Sequence, residues 1–170
     1  MTPLTLEEVF EQHFSFVWRC LRGLGVPTAD LDDVTQEVFV ILHRRFTELD
    51  QEVGVRPWLY GILRHVAQNH RRVRQRALKR RGVSDEEPVA PGLDPEQSLA
   101  ARQAAALVES ILAQLEGNRR EVFWLVELEG LTVPEVSAAL QIPLNTAYSR
   151  LRLARSDFRA AAARLTGGAE

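Results

Sequence analysis

Asn145, Tyr148, Ser149, Arg152 and Arg155 recur at intervals of one, three and four residues in this 170-residue chain. That spacing puts an amide, a phenol, a hydroxyl and two guanidinium groups on one face of an α-helix. Together they offer hydrogen bonds to base edges and positive charge to phosphates, the chemistry of a major-groove reader. A second constellation interleaves Trp58, Tyr60, His65 and His70 with Arg64, Arg71, Arg72 and Arg74. Aromatic faces stack on exposed bases while guanidinium groups follow the backbone, which suits an unpaired strand. The plain alternatives are an ordinary helical hairpin with a charged surface, and a Trp58 that belongs to the core.

The charge distribution favours the polyanion reading. Residues 56–81 carry nine basic and no acidic side chains, although the whole chain has a net charge of −2. A solvated helix face would intersperse Glu or Asp; a block without them is a candidate patch for a polyanion. Residues 1–55 hold 4 basic and 10 acidic side chains, and residues 82–100 hold five acidic and no basic ones.

Other chemistries find little support. His13, His43, His65 and His70 lack metal-ligand partners at useful spacing, and His65 and His70 stand five apart. Cys20 is the only cysteine, so no intramolecular disulfide and no cysteine-based zinc site forms; it reads as a small core residue. No phosphate-binding glycine loop or nucleophile–base pair is present, so no catalytic residue, metal or cofactor is assigned. No signal-peptide pattern opens the sequence and no apolar run is long enough to span a bilayer, so the cytoplasm is the expected location and no membrane insertion is expected.

The elements that must position these groups read as helices throughout. The first is expected from Leu6 to Leu24, with a Thr5–Glu8 capping box, a stripe of Leu6, Phe10, Phe14, Val17 and Leu21, and Gly23 and Gly25 as its stop. The second runs from Asp30 to about Phe46 on Leu31, Val34, Val38, Ile41 and Leu42, with acids in its first turn and arginines in its last. A polar loop, Thr47 to Arg56, leads to Pro57 as the opening of a third helix, Trp58 to about Arg76, on Leu59, Ile62, Leu63, Val66 and Val73.

Gly82, Pro88, Pro91, Gly92 and Pro95 among Asp85, Glu86 and Glu87 mark a flexible acidic linker, because such a segment buries too little apolar surface to order itself. An Ala-rich helix is expected from Leu99 to Leu115 and another from Arg119 to Glu129, capped by Asn118 with Glu121 and closed by Gly130. Thr132 and Glu135 form a capping box for a short helix ending near Leu140. Gln141-Ile142-Pro143 makes a tight turn, and a longer helix follows from Leu144 to about Ala163. Short helix, three-residue turn and longer basic helix describe a helix-turn-helix, with Ala147, Leu151, Ala154 and Phe158 packed on Val136, Leu140 and Ile142. The expected fold is all-α: a three-helix domain over residues 1–81, a linker over 82–98, and a helix-turn-helix domain over 99–170.

In this arrangement the chain resembles the extracytoplasmic-function sigma factors, the short group of the bacterial sigma-70 family. Asp30-Leu-Asp-Asp-Val-Thr-Gln-Glu-Val-Phe39 is similar to the family's acidic helix, Arg56-Pro-Trp-Leu-Tyr-Gly-Ile-Leu63 to the start of its promoter-melting helix, and Leu131 to Pro143 with Asn145 to Leu151 to its helix-turn-helix. The resemblance spans about Val9 to Leu165 in the family's order.

It implies a region 2-like and a region 4-like domain, and a factor that binds core RNA polymerase at the β′ clamp helices and β flap and directs initiation at promoter DNA. Asp33, Gln36 and Glu37 would face the clamp helices, and the loop Thr47–Arg56 would hold a base flipped from the −10 element. Trp58, Tyr60, Arg64, His65, Arg71 and Arg72 would meet the melting strand. Asn145, Tyr148, Ser149 and Arg152 would read the −35 element, with Arg119, Arg120, Arg150 and Arg155 on phosphates. The linker would follow the polymerase cleft that later carries RNA, and a separate anti-sigma factor would hold the protein inactive. Three positions depart from the common pattern: His65 stands where Asn is frequent, and Gln141 and Asn145 where Gly is. Two other classes compete: a conventional helix-turn-helix regulator that binds duplex operators without polymerase, and a helical interaction adaptor. The first leaves the acidic helix without a job, and the second leaves the segregated arginines unexplained.

Overall fold

The computed structural model describes residues 5–49, 53–82 and 98–167, and every regular element among them is helical. The chain divides into two compact units, Met1–Ala90 and Pro91–Glu170. The linker expected between them falls almost entirely on residues 83–97, outside the described residues.

In the first unit, α1 (Leu6–Gly23), α2 (Leu31–Arg45) and α3 (Val55–Arg81) pack on one another pairwise. The Thr5 hydroxyl accepts from the Glu8 N–H while the Glu8 carboxylate accepts from the Thr5 N–H at 2.9 Å, so two of the helix's otherwise unpaired donors are satisfied. The core is built from Val9, Phe16, Val17, Cys20 and Leu21 of α1, Leu31, Val34, Val38 and Leu42 of α2, and Leu59, Ile62, Leu63 and Val66 of α3.

The apolar stripe of α1 is therefore turned from the expected one. Phe10 and Phe14 are 45% and 36% exposed, because the Val9–Phe16–Cys20 side faces the core. Their rings instead flank Phe39 of α2, with centroids 4.6 and 6.2 Å away. Val73 is also misplaced by periodicity. It is 57% exposed, because no residue of α3 beyond Ala67 is buried. The distal half of α3 outruns the core and exposes Arg71, Arg72, Arg76, Arg80 and Arg81 to water. The helix also starts two residues before Pro57, which occupies the first turn, where its missing N–H has no intrahelical acceptor to lose.

His13, on α1, is held below its ordinary pKa, first by burial and then by the positive charge of Arg56. The folded unit thus favours neutral imidazole. An unfolded chain takes up the proton near pH 6.5, so stability is undiminished above that pH and declines as the pH falls below it. Replacing His13 with Gln is expected to remove that acid-side slope, read from urea midpoints between pH 5 and 8.

In the second unit, α4 (Leu99–Ala113), α5 (Gly117–Phe123) and α6 (Val133–Leu140) each pack against the long α7 (Leu144–Thr166). Phe123 and Phe158 stack with centroids 4.7 Å apart beside Ile111, Leu112, Leu115 and Ala154. Phe158 thus packs against α5 and α4, further along α7 than the helix-turn-helix contacts foreseen for it. Gly117 rather than Asn118 opens α5; no side chain caps it, and the Asn118 amide donates instead to the Glu116 carboxylate at 3.2 Å. Beyond Phe123 the helix widens into a π-turn, Trp124–Leu128, with the Glu129 N–H on the Trp124 carbonyl at 3.0 Å.

Candidate nucleic-acid interface

The helix-turn-helix begins with a local device. Thr132 and Glu135 form the expected capping box, the Thr132 N–H donating to the carboxylate at 2.7 Å. At the other end of α6, Gln141 adopts a left-handed backbone with φ 52° and ψ 46°. The Ile142 N–H reaches the Ser137 carbonyl at 3.1 Å, and the Ser137 hydroxyl donates to the Ile142 carbonyl at 2.7 Å. These bonds close the turn, so the angle between α6 and α7 is set by the backbone as well as by packing.

A left-handed conformation costs a glutamine more than a glycine. Gln141→Gly is expected to stabilise the second unit by about 0.5–1 kcal/mol, a rise of roughly 3–6 °C in its melting temperature. An unchanged or lower midpoint by calorimetry would show that the Gln side chain offsets the strain.

Ala147, Leu151 and Ala154 are buried along the inner side of α7, and Asn145, Tyr148, Ser149, Arg152 and Arg155 are exposed on the outer side. Alternation at helical spacing therefore translates directly into one inward and one outward face. Tyr148, Ser149, Arg152, Arg155 and Arg159 line an open groove with Val126 and Val133. Arg159 was not anticipated; it lies one turn beyond Arg155, a spacing that could have identified it. Arg150 is half-buried, and Arg120 is exposed.

Arg119 has a different place. It pairs with Asp157 at 2.8 Å and Glu116 at 3.3 Å, and the hydrogen bond to Asp157 raises its pKa further. Its guanidinium ties α5 to α7, so the phosphate contact implied for it would have to compete with two carboxylates. Arg155 is likewise paired, with Glu127 at 2.6 Å.

In the first unit, Asp33, Gln36 and Glu37 are all exposed on α2, while the neighbouring Val34 and Val38 are buried. Asp32 and Val40, the latter 49% exposed, extend the same surface. Along α3, His65, Arg71 and Arg72 are exposed, whereas Trp58 and Arg64 are half-buried. Tyr60 must be removed from the strand-facing set. It is only 2% exposed, because position 60 turns toward the core beside Leu59 and Leu63.

His70 and Arg74, part of the uninterrupted basic block in the sequence, meet an acid from elsewhere: Asp30 lies 3.2 Å from His70 and 3.4 Å from Arg74. Arg56, expected in the loop, belongs to the first turn of α3 and sits over the Phe16 ring at 5.1 Å. The expected base-holding loop includes residues 50–52, outside the described residues. No group of three or more His, Cys, Asp or Glu that could hold a metal ion occurs among the described residues.

Comparison with known proteins matches both halves of the chain. The family model for sigma-70 region 2 covers residues 9–77, and that for sigma-70 region 4 covers residues 105–158. The RNA polymerase sigma factor CnrH of Cupriavidus metallidurans is 30% identical over 161 residues, which cover 90% of this chain and 84% of that protein. The ECF RNA polymerase sigma factor SigC of Mycobacterium tuberculosis is 30% identical over 140 residues, covering 82% of this chain and 73% of that one. Among solved structures, CnrH in complex with the cytosolic domain of CnrY superposes with a TM-score of 0.67 at 24% identity, over 97% of this chain and 89% of that one. The sigma factor RpoE in complex with the anti-sigma factor NepR, from Bartonella quintana, gives 0.68 at 22% identity, over 89% and 95% of the two chains.

Proposed function

The chain belongs to the extracytoplasmic-function group of the sigma-70 family, and from that premise we propose that it binds core RNA polymerase and directs initiation at promoters with −10 and −35 elements. The observation that carries this reading is the order of the parts. The region 2 match lies within the first compact unit and the region 4 match within the second, where α7 presents an exposed polar face.

Each exposed group then has a role. Asp33, Gln36 and Glu37 dock on the polymerase β′ clamp helices. His65, Arg71 and Arg72, with the half-buried Trp58 and Arg64, meet the −10 strand as it separates. Asn145, Tyr148, Ser149 and Arg152 read −35 base edges, while Arg120 and Arg150 contact phosphates. The factor supplies binding energy and no catalysis of its own, and it acts where the polymerase is, in the cytoplasm. No helix among the described residues is long and apolar enough to cross a membrane.

An anti-sigma factor controls it in this reading, the support being that both structural relatives named above are sigma factors complexed with a second protein. Pull-down of the tagged chain from native cells that returns only polymerase subunits under every growth condition would overturn that element.

In vitro transcription with bacterial core polymerase and a pool of genomic promoter fragments tests the main reading. Defined transcripts are expected only when the protein is added, and their upstream sequences supply the promoter motif. No transcript and no core binding, with tight salt-sensitive binding to one duplex, would instead identify a conventional operator-binding regulator.

A further inference from the structure

One of the arginines lining the groove of the second unit, Arg155, is held by a carboxylate that is not itself part of the lining. Glu127, in the π-turn, lies against Arg155 of α7, its Oε1 accepting from both Nε and Nη2 of the guanidinium at 2.6 Å. A wide turn of this kind redirects the side chains within it, and such turns are concentrated at functional sites. Both partners remain in contact with water, with side chains 52% and 34% exposed, so the pair adds little to folding stability. Its geometry has a clearer consequence. A guanidinium has two forked edges, and Glu127 occupies the Nε edge. The terminal edge, Nη1 with the outer Nη2 hydrogen, is left for a second bidentate partner, and the O6 and N7 atoms of guanine match that fork.

We propose that Glu127 is a positioning residue for −35 readout: by fixing the Nε edge of Arg155 it aims the terminal edge at one base pair. This assigns Arg155 to a base edge instead of a phosphate, and it rests on the reading of the α7 face as the −35 reader. A long side chain loses rotamer freedom when it binds, and a partner that has already oriented it removes part of that loss. Selectivity at that base pair therefore depends on a residue that touches no DNA.

The opposite role makes the opposite prediction. A carboxylate that merely masked Arg155 would weaken binding to every duplex alike, and its removal would strengthen them all.

The experiment uses holoenzyme assembled from core polymerase and the full chain, with a promoter pool whose −35 region is randomised and the bound fraction sequenced. Arg155→Ala is expected to lower discrimination about tenfold at one or two adjacent positions, the scale of one bidentate base contact. Glu127→Ala should lower discrimination at the same positions, by roughly threefold, because the terminal edge survives but the Nε edge has lost the acceptor that held it. The double variant should be no worse than Arg155→Ala alone. Full discrimination in Glu127→Ala, a uniform gain in binding to all sequences, or a further loss in the Arg155→Ala background would each overturn the proposal while leaving the −35 reading in place. If Arg155→Ala and Arg152→Ala both leave the selected sequences unchanged, the face does not read DNA and the proposal falls with that reading. All of these variants alter exposed side chains, and circular dichroism checks that each remains folded.

Discussion

The double substitution Asp33→Lys with Glu37→Lys is expected to weaken binding to core polymerase by at least about a hundredfold, because reversing charges at an interface replaces attraction with repulsion worth several kcal/mol. The two carboxylates stand four residues apart on the exposed side of α2, and neither makes a core contact. The buried residues beside them, Val34, Thr35 and Val38, are untouched, so the first unit should remain folded. Asp33 lies in the first turn of α2, where a negative charge complements the helix dipole. Its reversal should cost the helix no more than about 1 kcal/mol. Fluorescence titration of labelled protein with core enzyme measures the loss, and a melting curve verifies the fold. The deficit should also depend on ionic strength, since exposed charges are screened by salt. Affinity unchanged at low salt would remove α2 from the polymerase interface and place the docking surface elsewhere.

The second large effect concerns stability. Phe123→Ala is expected to cost about 3–5 kcal/mol, the range for deleting a buried aromatic ring. Phe123 is 7% exposed and stacks on Phe158, so its loss opens a cavity where α4, α5 and α7 converge. Small domains have total stabilities of only about 5–15 kcal/mol, and this one substitution removes a large share. Hydrogen exchange should show α4 to α7 losing protection, with α1 to α3 as the internal reference. Holoenzyme carrying the variant should lose −35-dependent transcription. Native protection across α7 would mean that the cluster around Phe123 is not what holds the second unit together.

The sequence alone determined those features in which the chain talks to its near neighbours. Thr5 with Glu8 and Thr132 with Glu135 satisfy helix-end donors three residues away, so these two capping boxes were legible and are present, whereas the cap expected from Asn118 with Glu121 does not form because α5 already opens at Gly117. The two faces of α7 followed from helical spacing, and the all-helical class followed from the same periodicity. The left-handed turn at Gln141 was also foreseeable, because the reversal between two helices needs that backbone whatever residue occupies it.

Tertiary structure decided what depends on partners distant in sequence. Four of the expected core or strand-facing residues changed places for one reason: periodicity shows that a helix has an apolar face but not how far neighbouring helices extend along or around it. Phe10 and Phe14 face outward because α1 turns its Val9–Phe16 side to the core, Val73 is exposed because α3 outruns its neighbours, and Tyr60 is buried because the apolar arc of α3 is wider than its leucines alone indicate. The charge of single residues was decided the same way. Asp30 reaches His70 and Arg74 across 40 and more positions of sequence, Asp157 claims Arg119, and Glu127 claims Arg155. A charge count along the chain shows where basic side chains are concentrated. Which of them keep a free edge for DNA is settled only when folding brings the acids alongside.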